Sequence, residues 1–499
     1  MAKIKTENIF LITIFVISTC GLIYELISGA IASYLLGDSV LQFSLVIGIY
    51  LFAMGIGSFF SKFIKKNYVY KFIEIELAIG LIGGLSAPIL FATYNFIDFF
   101  EVILYLFVFI IGCLVGLEIP LLMIILKDKF EFNDLVSNVF TYDYIGALLA
   151  SLLFPLVFIP YLGLISTSLV FGIVNILIGI IMIYMLKPLI SNTRILKIKS
   201  FFALFILIVT LIFSKKILQF SEERLYGENI IFSKNSKYQR IVLTHEREDY
   251  RLYLNNNLQF STFDEYRYHE MLVHPAMSFS DDISNVLILG GGDGMAAREI
   301  LKYDKVKKIT LVDLDSEITK MFKENNILKK FNQNSLNNSK IKIINQDAFI
   351  WLKQNKTKFN VVIIDFPDPS NFSIGKLYSK QFYKILSKSL AENYILSIQS
   401  TSPFFAPKSY WCIQNTLKDN FQNVLPYHVY LPSFGEWGYS LVTNNNLVVK
   451  RKLTNLKFFD YKFVNFTYFP KDMKSTTKEI NSIHNQELVN LFNKEWNSL

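Results

Sequence analysis

The hydrophobic pattern divides the chain into two parts. Long apolar runs fall between about residues 9 and 213, whereas the remainder mixes apolar and polar positions as soluble domains do. A helix that crosses a bilayer needs roughly 20 mostly apolar residues. Six runs reach that length and a seventh is shorter; they lie at 9–35, 41–61, 72–95, 99–126, 142–161, 164–186 and 200–214. We therefore predict an all-α multi-pass membrane bundle over residues 1–220.

Basic residues between these runs predict the orientation of the bundle. They cluster in the loop at 62–71 and in the segment at 187–199, whereas the loops at 37–39 and 95–98 contain none. Basic loops remain in the cytoplasm, which favours six spans with both ends inside. A true seventh span at 200–214 would place the C-terminal half outside, and Lys215 and Lys216 after it would violate the same rule.

Five acids interrupt the apolar runs: Glu25, Glu74, Glu76, Glu118 and Asp143. Ionisable groups within a span are expensive and often functional. We favour the interpretation that these acids lie near helix ends or pair within the bundle. The alternative is a site or pathway for a cationic solute.

The second part alternates strand and helix patterns. Alternation at 239–244 and 250–254, with a turn at 255–257, predicts a small antiparallel sheet domain over 221–275. Further strands are expected at 286–289, 308–312, 341–345, 361–365 and 394–399, with helices between them. This order predicts a doubly wound, mostly parallel Rossmann-like α/β domain over 276–445. The tail at 446–499 is expected to be helical at its end.

A glycine-rich turn follows the first strand of this second sheet. The segment VLILGGGDGMAARE, residues 286–299, places Gly290 and Gly292 beside Asp293, before a helix. Glycine lets a backbone approach a ligand closely. A carboxylate inside such a turn would repel a phosphate, so the ligand is expected to be neutral or cationic. A sulfonium nucleoside fits this expectation and a dinucleotide does not.

Acids also end the next two strands. Asp313 ends the second strand, and Asp347 with Ala348 follows the third. Ligands of such sheets bind at the carboxyl ends of the strands. Asp313 is placed to accept hydrogen bonds from ribose hydroxyls and Asp347 to read an adenine edge. These residues predict a nucleoside pocket.

Together the motifs resemble the polyamine aminopropyltransferases, or spermidine synthases. The segment DEYRYHEMLVHP at 264–275 is similar to the part of that family just before its nucleotide-binding fold. The segment DFPDP at 365–369, followed by LYS at 377–379, looks like its catalytic loop. This likeness covers roughly residues 226–445. The apolar half, with Tyr24-Glu25 and LLGD at 35–38, and the tail segment FPKDM at 469–473, look like the membrane-spanning subgroup.

The resemblance implies a reaction and a role for each matching residue. The family transfers an aminopropyl group from decarboxylated S-adenosylmethionine, a co-substrate used without a metal or other cofactor, to an amine, usually putrescine. Spermidine and methylthioadenosine result. Asp365 would be the catalytic carboxylate. The donor would be bound by Gln239, Gln259, Gly290, Gly292, Asp293, Asp313, Asp347 and Ala348. The amine would be bound by Tyr268, His269, Glu270, Asp368 and Gln399.

Departures from the family pattern leave the acceptor open. The family commonly has Glu where Asp313 stands, and small residues where Phe366 and Pro367 stand. One alternative is a transferase that uses S-adenosylmethionine and another acceptor. A second is a polyamine transporter or sensor whose soluble domain binds a nucleoside.

The charge distribution and the site of donor synthesis limit which partners and which location are expected. The net charge of +9 is spread over loops and Asn/Lys-rich stretches without aromatic interleaving, so we expect no nucleic-acid partner. The expected partners are a small amine, a lipid bilayer and, by likeness to soluble relatives, a second copy of the chain. The donor is made in the cytoplasm by the family's logic. We therefore expect a cell (inner) membrane protein whose catalytic domain faces the cytoplasm.

Overall fold

The computed structural model describes residues 2–36, 39–94, 96–97, 99–127, 130–190 and 192–496. Gly37, Asp38, Asn95 and Asp98, which belong to two loops used in the orientation argument, lie outside the described residues. The chain forms two compact units, Met1–Asn235 and Ser236–Leu499. The finer domain boundaries at 220, 275 and 445 stay predictions.

The first unit is helical. Its elements are α1 (Ala2–Leu36), α2 (Ser39–Ser61), α3 (Tyr68–Thr93), α4 (Phe100–Leu126), α5 (Phe132–Leu153), α6 (Ile159–Met185), α7 (Thr193–Tyr226) and the strand β1 (Asn229–Asn235). A π-helical turn, Phe154–Phe158, joins α5 to α6. Among the described residues, six stretches are long and apolar enough to cross a membrane, judged by length and composition.

The longest of these stretches contains a break. Phe132–Met185 has 54 residues, or about 80 Å at about 1.5 Å per residue, against a hydrocarbon core of about 30 Å. Gly163, at φ 74° and ψ 174°, interrupts the helical path. Glycine adopts this positive φ without steric cost. The stretch therefore divides into two segments, which agrees with the two runs predicted at 142–161 and 164–186.

Helix α7 is longer than its apolar run suggests. It has 34 residues and lies parallel to α3 from one end to the other. Near the start of α7, Lys199 forms an ion pair with Glu74 near the start of α3. Near its end, Ser221 donates a hydrogen bond to the carbonyl of Phe91. The segment 200–214 is thus the middle of α7, and α7 contacts the candidate span α3 near both ends of α3.

The helices approach one another through glycines, which allow two helix backbones to come close together. A Cβ atom at Gly57 on α2 would lie 2.0 Å from the Cys113 carbonyl oxygen of α4. One at Gly80 on α3 would lie 2.9 Å from the Gly172 carbonyl oxygen of α6. Both distances are shorter than van der Waals contact, so a larger residue at either position would separate the two helices.

The second unit begins with a small antiparallel sheet and continues into an α/β fold. The sheet includes β2 (Arg240–Glu246), β3 (Asp249–Leu254) and β4 (Asn257–Ser261). The later strands are β5 (Asn285–Gly290), β6 (Lys308–Asp313), β7 (Ile341–Asn345), β8 (Phe359–Asp365), β9 (Leu390–Gln399), β10 (Asn423–Leu431) and β11 (Gly435–Thr443). The helices are α8 (Glu265–Phe279), α9 (Met295–Leu301), α10 (Ser316–Glu324), α11 (Leu328–Phe331), α12 (Ala348–Gln354), α13 (Phe372–Gly375), α14 (Lys380–Ser387), α15 (Pro407–Lys418) and α16 (Glu487–Trp496).

The seven later strands form one sheet in the order β10-β11-β9-β8-β5-β6-β7. Strands β5 to β9 pair with one another in parallel, whereas β11 pairs antiparallel with both β9 and β10. The predicted parallel sheet is confirmed. Because β5 lies between β6 and β8, the order reverses there, and the carboxyl ends of these three strands meet where such sheets bind ligands.

Candidate active site

The glycine-rich turn is pressed against the ends of β8 and β6. Gly290 has φ 84°, and a Cβ atom there would lie 2.1 Å from the Asp365 carbonyl oxygen. A Cβ atom at Gly292 would lie 2.8 Å from the carboxyl group of Asp313. Only glycine fits at these two positions. The close approach brings Asp293 to the edge of the sheet that carries Asp313 and Asp365.

Asp313 is held by the turn it faces. Its carboxylate accepts hydrogen bonds from the backbone amides of Gly292, at 3.1 Å, and Asp315, at 2.8 Å. Burial raises the pKa of Asp313 to about 7, although these amides favour the ionised form. Asp315 in turn accepts a hydrogen bond from Gln239 Nε2 at 2.9 Å. Gln239, which is predicted to bind the nucleoside substrate, therefore contacts the end of β6 indirectly. Its partner there, Asp315, was not selected from the sequence.

Asp347 caps the N-terminus of α12, and its carboxylate also forms an ion pair with a lysine. Oδ1 accepts hydrogen bonds from the Phe349 and Ile350 amides, and Oδ2 lies 2.7 Å from Lys376 Nζ. Burial alone would raise the pKa of Asp347, but Lys376 and the helix amides outweigh it and lower the pKa. Ala348, the next residue, is buried. No local pattern around Lys376 identified it as a partner of a residue 29 positions away.

The end of β8 carries the predicted catalytic carboxylate. Tyr268 Oη on α8 donates a hydrogen bond of 2.6 Å to Asp365 Oδ1. Burial raises the pKa of Asp365 to about 6, although the charge of His269 and the hydrogen bond from Tyr268 oppose the rise. A carboxyl group with this pKa is mostly ionised at neutral pH and close enough to neutrality to accept and release a proton.

His269 contributes a positive charge beside this carboxylate. Its Nδ1 lies 2.9 Å from Glu265 Oε2. Burial disfavours the charged ring, but the Glu265 carboxylate and then the charges of Asp293 and Asp365 raise the pKa of His269 to about 9. A protonated imidazole therefore faces two acids of the candidate site at neutral pH.

Asp368 is oriented by two side chains, one at the end of β9 and one just after it. Gln399 Nε2 lies 3.3 Å from Asp368 Oδ1, and Thr401 Oγ1 lies 3.2 Å from Oδ2. Burial raises the pKa of Asp368 to about 7 despite both hydrogen bonds. Thr401 has φ 58°, an unfavourable conformation for a β-branched residue. Such strain is often found at functional sites; sequence reasoning missed Thr401 because nothing local indicates its conformation.

Two predicted site residues have other partners. Both Glu270 carboxylate oxygens accept hydrogen bonds from backbone amides of the segment 457–459, at 2.8 to 2.9 Å. Gln259 Nε2 donates to the carbonyls of Asn257 and Leu258 in its own strand and turn. The geometry thus gives Glu270 a role in holding the tail of the chain, because both of its carboxylate oxygens accept hydrogen bonds from that segment.

We expect Glu270→Ala to destabilise the second unit. Three amide donors would lose their acceptor, at about 1 kcal/mol or more for each buried group. For a unit of this size, about 3 kcal/mol corresponds to a fall in Tm of roughly 6–10 °C. Thermal unfolding of the full chain measures this fall. The control is Glu392→Ala, which removes an exposed carboxylate from the same unit; equal Tm values for the two variants would contradict the assignment.

Residues 265–453 match the family model described as "Spermine/spermidine synthase domain". The chain is 50% identical over 490 residues to a polyamine aminopropyltransferase of Leptospira interrogans, covering 98% of each chain. It is 44% identical over 506 residues to polyamine aminopropyltransferase 2 of Ralstonia nicotianae, covering 99% of each chain. The chain belongs to the polyamine aminopropyltransferase family. The predicted membership is confirmed, and the likeness to these two aminopropyltransferases includes the helical unit because it covers nearly the whole chain.

Among solved structures, the spermidine synthase of Thermotoga maritima is similar to this aminopropyltransferase. The likeness has 23% identity and a TM-score of 0.45, and it covers 54% of this chain and 88% of that one.

Proposed function

We propose that this aminopropyltransferase transfers the aminopropyl group of decarboxylated S-adenosylmethionine to a diamine such as putrescine and releases methylthioadenosine. The observation that supports it best is the hydrogen bond between Tyr268 and Asp365 at the strand end that faces the glycine-rich turn. Asp365 is a carboxylate held in place with a pKa of about 6, and it lies beside the turn that contains Asp293. Two acids at this position suit a reaction in which both substrates, the sulfonium donor and the protonated amine, are cations.

The donor is bound at the ends of β5, β6 and β7. Gly290 and Gly292 allow the nucleoside to approach the backbone, Asp313 accepts from its ribose hydroxyls, and Asp347 with Ala348 lies along the adenine edge. Asp293 pairs with the ammonium group of the aminopropyl chain. Gln239 supports this arrangement through Asp315. Gln259 and Glu270 are left out, because backbone groups occupy their side chains.

The acceptor needs a free lone pair. A primary amine has a pKa of about 10.4, so freeing the lone pair at pH 7 costs roughly 4–5 kcal/mol. Asp365 accepts the proton as the nitrogen attacks the carbon beside the sulfonium. The new C–N bond forms as the C–S bond breaks, and the electron pair of that bond neutralises the sulfur. Asp368, oriented by Gln399, binds the distal ammonium group of the diamine. The positive charge of His269 limits the negative charge around Asp293 and Asp365.

Donor choice tests this proposal against a methyltransferase. Intact S-adenosylmethionine carries a carboxylate that Asp293 would oppose, whereas the decarboxylated donor does not. We expect methylthioadenosine from the decarboxylated donor with putrescine, and neither methylthioadenosine nor methylated amine from the intact donor. Methyl transfer from the intact donor would contradict the proposal.

Activity should depend on the ionisation of Asp365. The carboxylate is required as base, so kcat/KM is expected to fall as the pH drops through the Asp365 pKa of about 6. Tyr268 stabilises the ionised form, so Tyr268→Phe should move this acid limb to higher pH. The measurement is a pH profile from pH 5 to 8.5 for both proteins. Identical acid limbs would contradict the assigned pair.

We also propose that the helical unit spans the cell membrane and that α1 to α7 all cross it. Seven crossings place the two ends of the unit on opposite faces, in place of the six-span arrangement expected from the sequence. Two arguments about which face is cytoplasmic then conflict. The basic loops place the N-terminus in the cytoplasm, whereas synthesis of the donor in the cytoplasm places the catalytic unit there. Reporters fused before Met1 and after Leu499 are expected to lie on opposite faces and identify the cytoplasmic one. Reporters on the same face would exclude seven crossings.

A further inference from the structure

A second group of polar side chains lies in the core of the helical unit. Tyr24 on α1, Glu76 on α3, Glu118 on α4 and Asn175 on α6 are all buried. The carboxyl groups of Glu76 and Glu118 lie close enough to interact with each other, and Asn175 Nδ2 lies 3.4 Å from Glu76 Oε2. The hydroxyl group of Tyr24 interacts electrostatically with both carboxyl groups. Four helices therefore direct oxygen atoms to one buried place.

These oxygens are not satisfied by the protein. Among the residues that the structure describes, four oxygens have no hydrogen-bond partner: Tyr24 Oη, Glu76 Oε1, Glu118 Oε1 and Asn175 Oδ1. No lysine or arginine is among the buried residues in the described part of the helical unit. An unpaired buried polar group costs about 1–3 kcal/mol, and acids within a span are expensive. A proton shared by the two glutamates leaves the Tyr24 and Asn175 oxygens unpaired, so it does not account for the whole cluster.

Further acids connect the cluster to less buried positions. Asp143 on α5 interacts electrostatically with Glu118. Asp143 and Glu25 on α1 both interact with Tyr50, and neither acid is fully buried. The negative groups thus form a series from partly exposed positions to the buried pair. Such a series favours the entry of a cation.

We propose that Tyr24, Glu76, Glu118 and Asn175 form a binding site for a protonated amine. An ammonium group carries three N–H donors, which suits a set of oxygen acceptors without a basic neighbour. An alkali cation also binds oxygens. The amine is the better match because the other unit acts on amines; this choice rests on the proposed function. The helical unit then binds the class of molecule that the catalytic unit consumes and produces.

The test counts amine sites on the full-length protein. Equilibrium dialysis with radiolabelled putrescine, in choline chloride, is expected to find two sites per wild-type chain and one in Glu76→Gln/Glu118→Gln. The matched control is Glu74→Gln, an acid of the same helix that is partly exposed and paired with Lys71 and Lys199; it should retain both sites. Tyr24→Phe should weaken the second site about tenfold.

The experiment tests the amine site in the helical unit independently of the proposed catalytic function. Methylthioadenosine release, measured on the same samples, reports the catalytic unit and is expected to be unchanged in all of these variants. Equal putrescine binding by the wild type and the double glutamine variant would overturn the amine site. So would retention of ²²Na⁺, but not putrescine, by the cluster. If the double variant does not fold, unchanged affinity in Tyr24→Phe overturns the proposal by itself.

Discussion

Asp365→Asn is expected to lower kcat by about a thousandfold, within the range of roughly 10²–10⁴ for loss of a general base. Asparagine keeps the size of the side chain and an oxygen that accepts the hydrogen bond from Tyr268. It removes the group that takes the proton from the attacking amine. The residues proposed to bind the nucleoside, Asp313 and Asp347, lie at the ends of other strands, so the affinity for the decarboxylated donor should change little. The measurements are kcat by methylthioadenosine release and donor affinity by calorimetry.

The control for this variant is Asp304→Asn, which neutralises an exposed carboxylate of the same unit. It should leave kcat and donor affinity unchanged. A near-normal kcat in Asp365→Asn would remove Asp365 from the reaction. A loss of both kcat and donor binding would instead indicate that Asp365 holds the site together.

Asp293→Asn is expected to change the choice of donor. Hydrogen bonds to a charged group contribute about 1.5–3 kcal/mol, so losing the carboxylate that pairs with the aminopropyl ammonium should raise KM for the decarboxylated donor by about 10- to 100-fold. The backbone amide of Met295 donates to Asp293 Oδ1 at 2.8 Å, and the asparagine oxygen can keep this contact. The turn is therefore expected to retain its shape.

The same substitution removes the charge that opposes the carboxylate of intact S-adenosylmethionine. Binding of the intact donor should strengthen while binding of the decarboxylated donor weakens, so the ratio of the two affinities should fall. Competition by intact donor in the methylthioadenosine assay measures this ratio for wild type, Asp293→Asn and the Asp304→Asn control. A ratio that stays constant would show that Asp293 does not select the donor.

The sheet and the acids at the ends of its strands were predictable because their signals are local. Apolar strands followed by acids, such as the one that ends at Asp313, occur wherever parallel strands carry a ligand at their carboxyl ends. Gly290 and Gly292 also stand out within one short segment of sequence, although the contacts that require glycine there are with Asp365 and Asp313 on other strands. The predicted strands at 286–289 and 308–312 correspond to β5 and β6.

Contacts between residues far apart in the chain could not be predicted from the sequence. The amine-binding prediction for Glu270 followed the motif, whereas the structure gives its carboxylate three amides of the tail at 457–459. The Lys376 ion pair with Asp347 and the positive φ of Thr401 likewise depend on how the chain returns to the sheet. The length of α7 was missed because hydropathy ends at Phe213, while the polar end of the helix still pairs with α3 through Ser221.

Mass spectrometry of the products tests the catalytic proposal most directly. The full-length protein is incubated with decarboxylated S-adenosylmethionine and a panel of diamines, beside Asp365→Asn. The account predicts equal amounts of methylthioadenosine and one aminopropylated amine, both lost in the variant. Donor binding without either product, or a product whose formation is unaffected by Asp365→Asn, would contradict it.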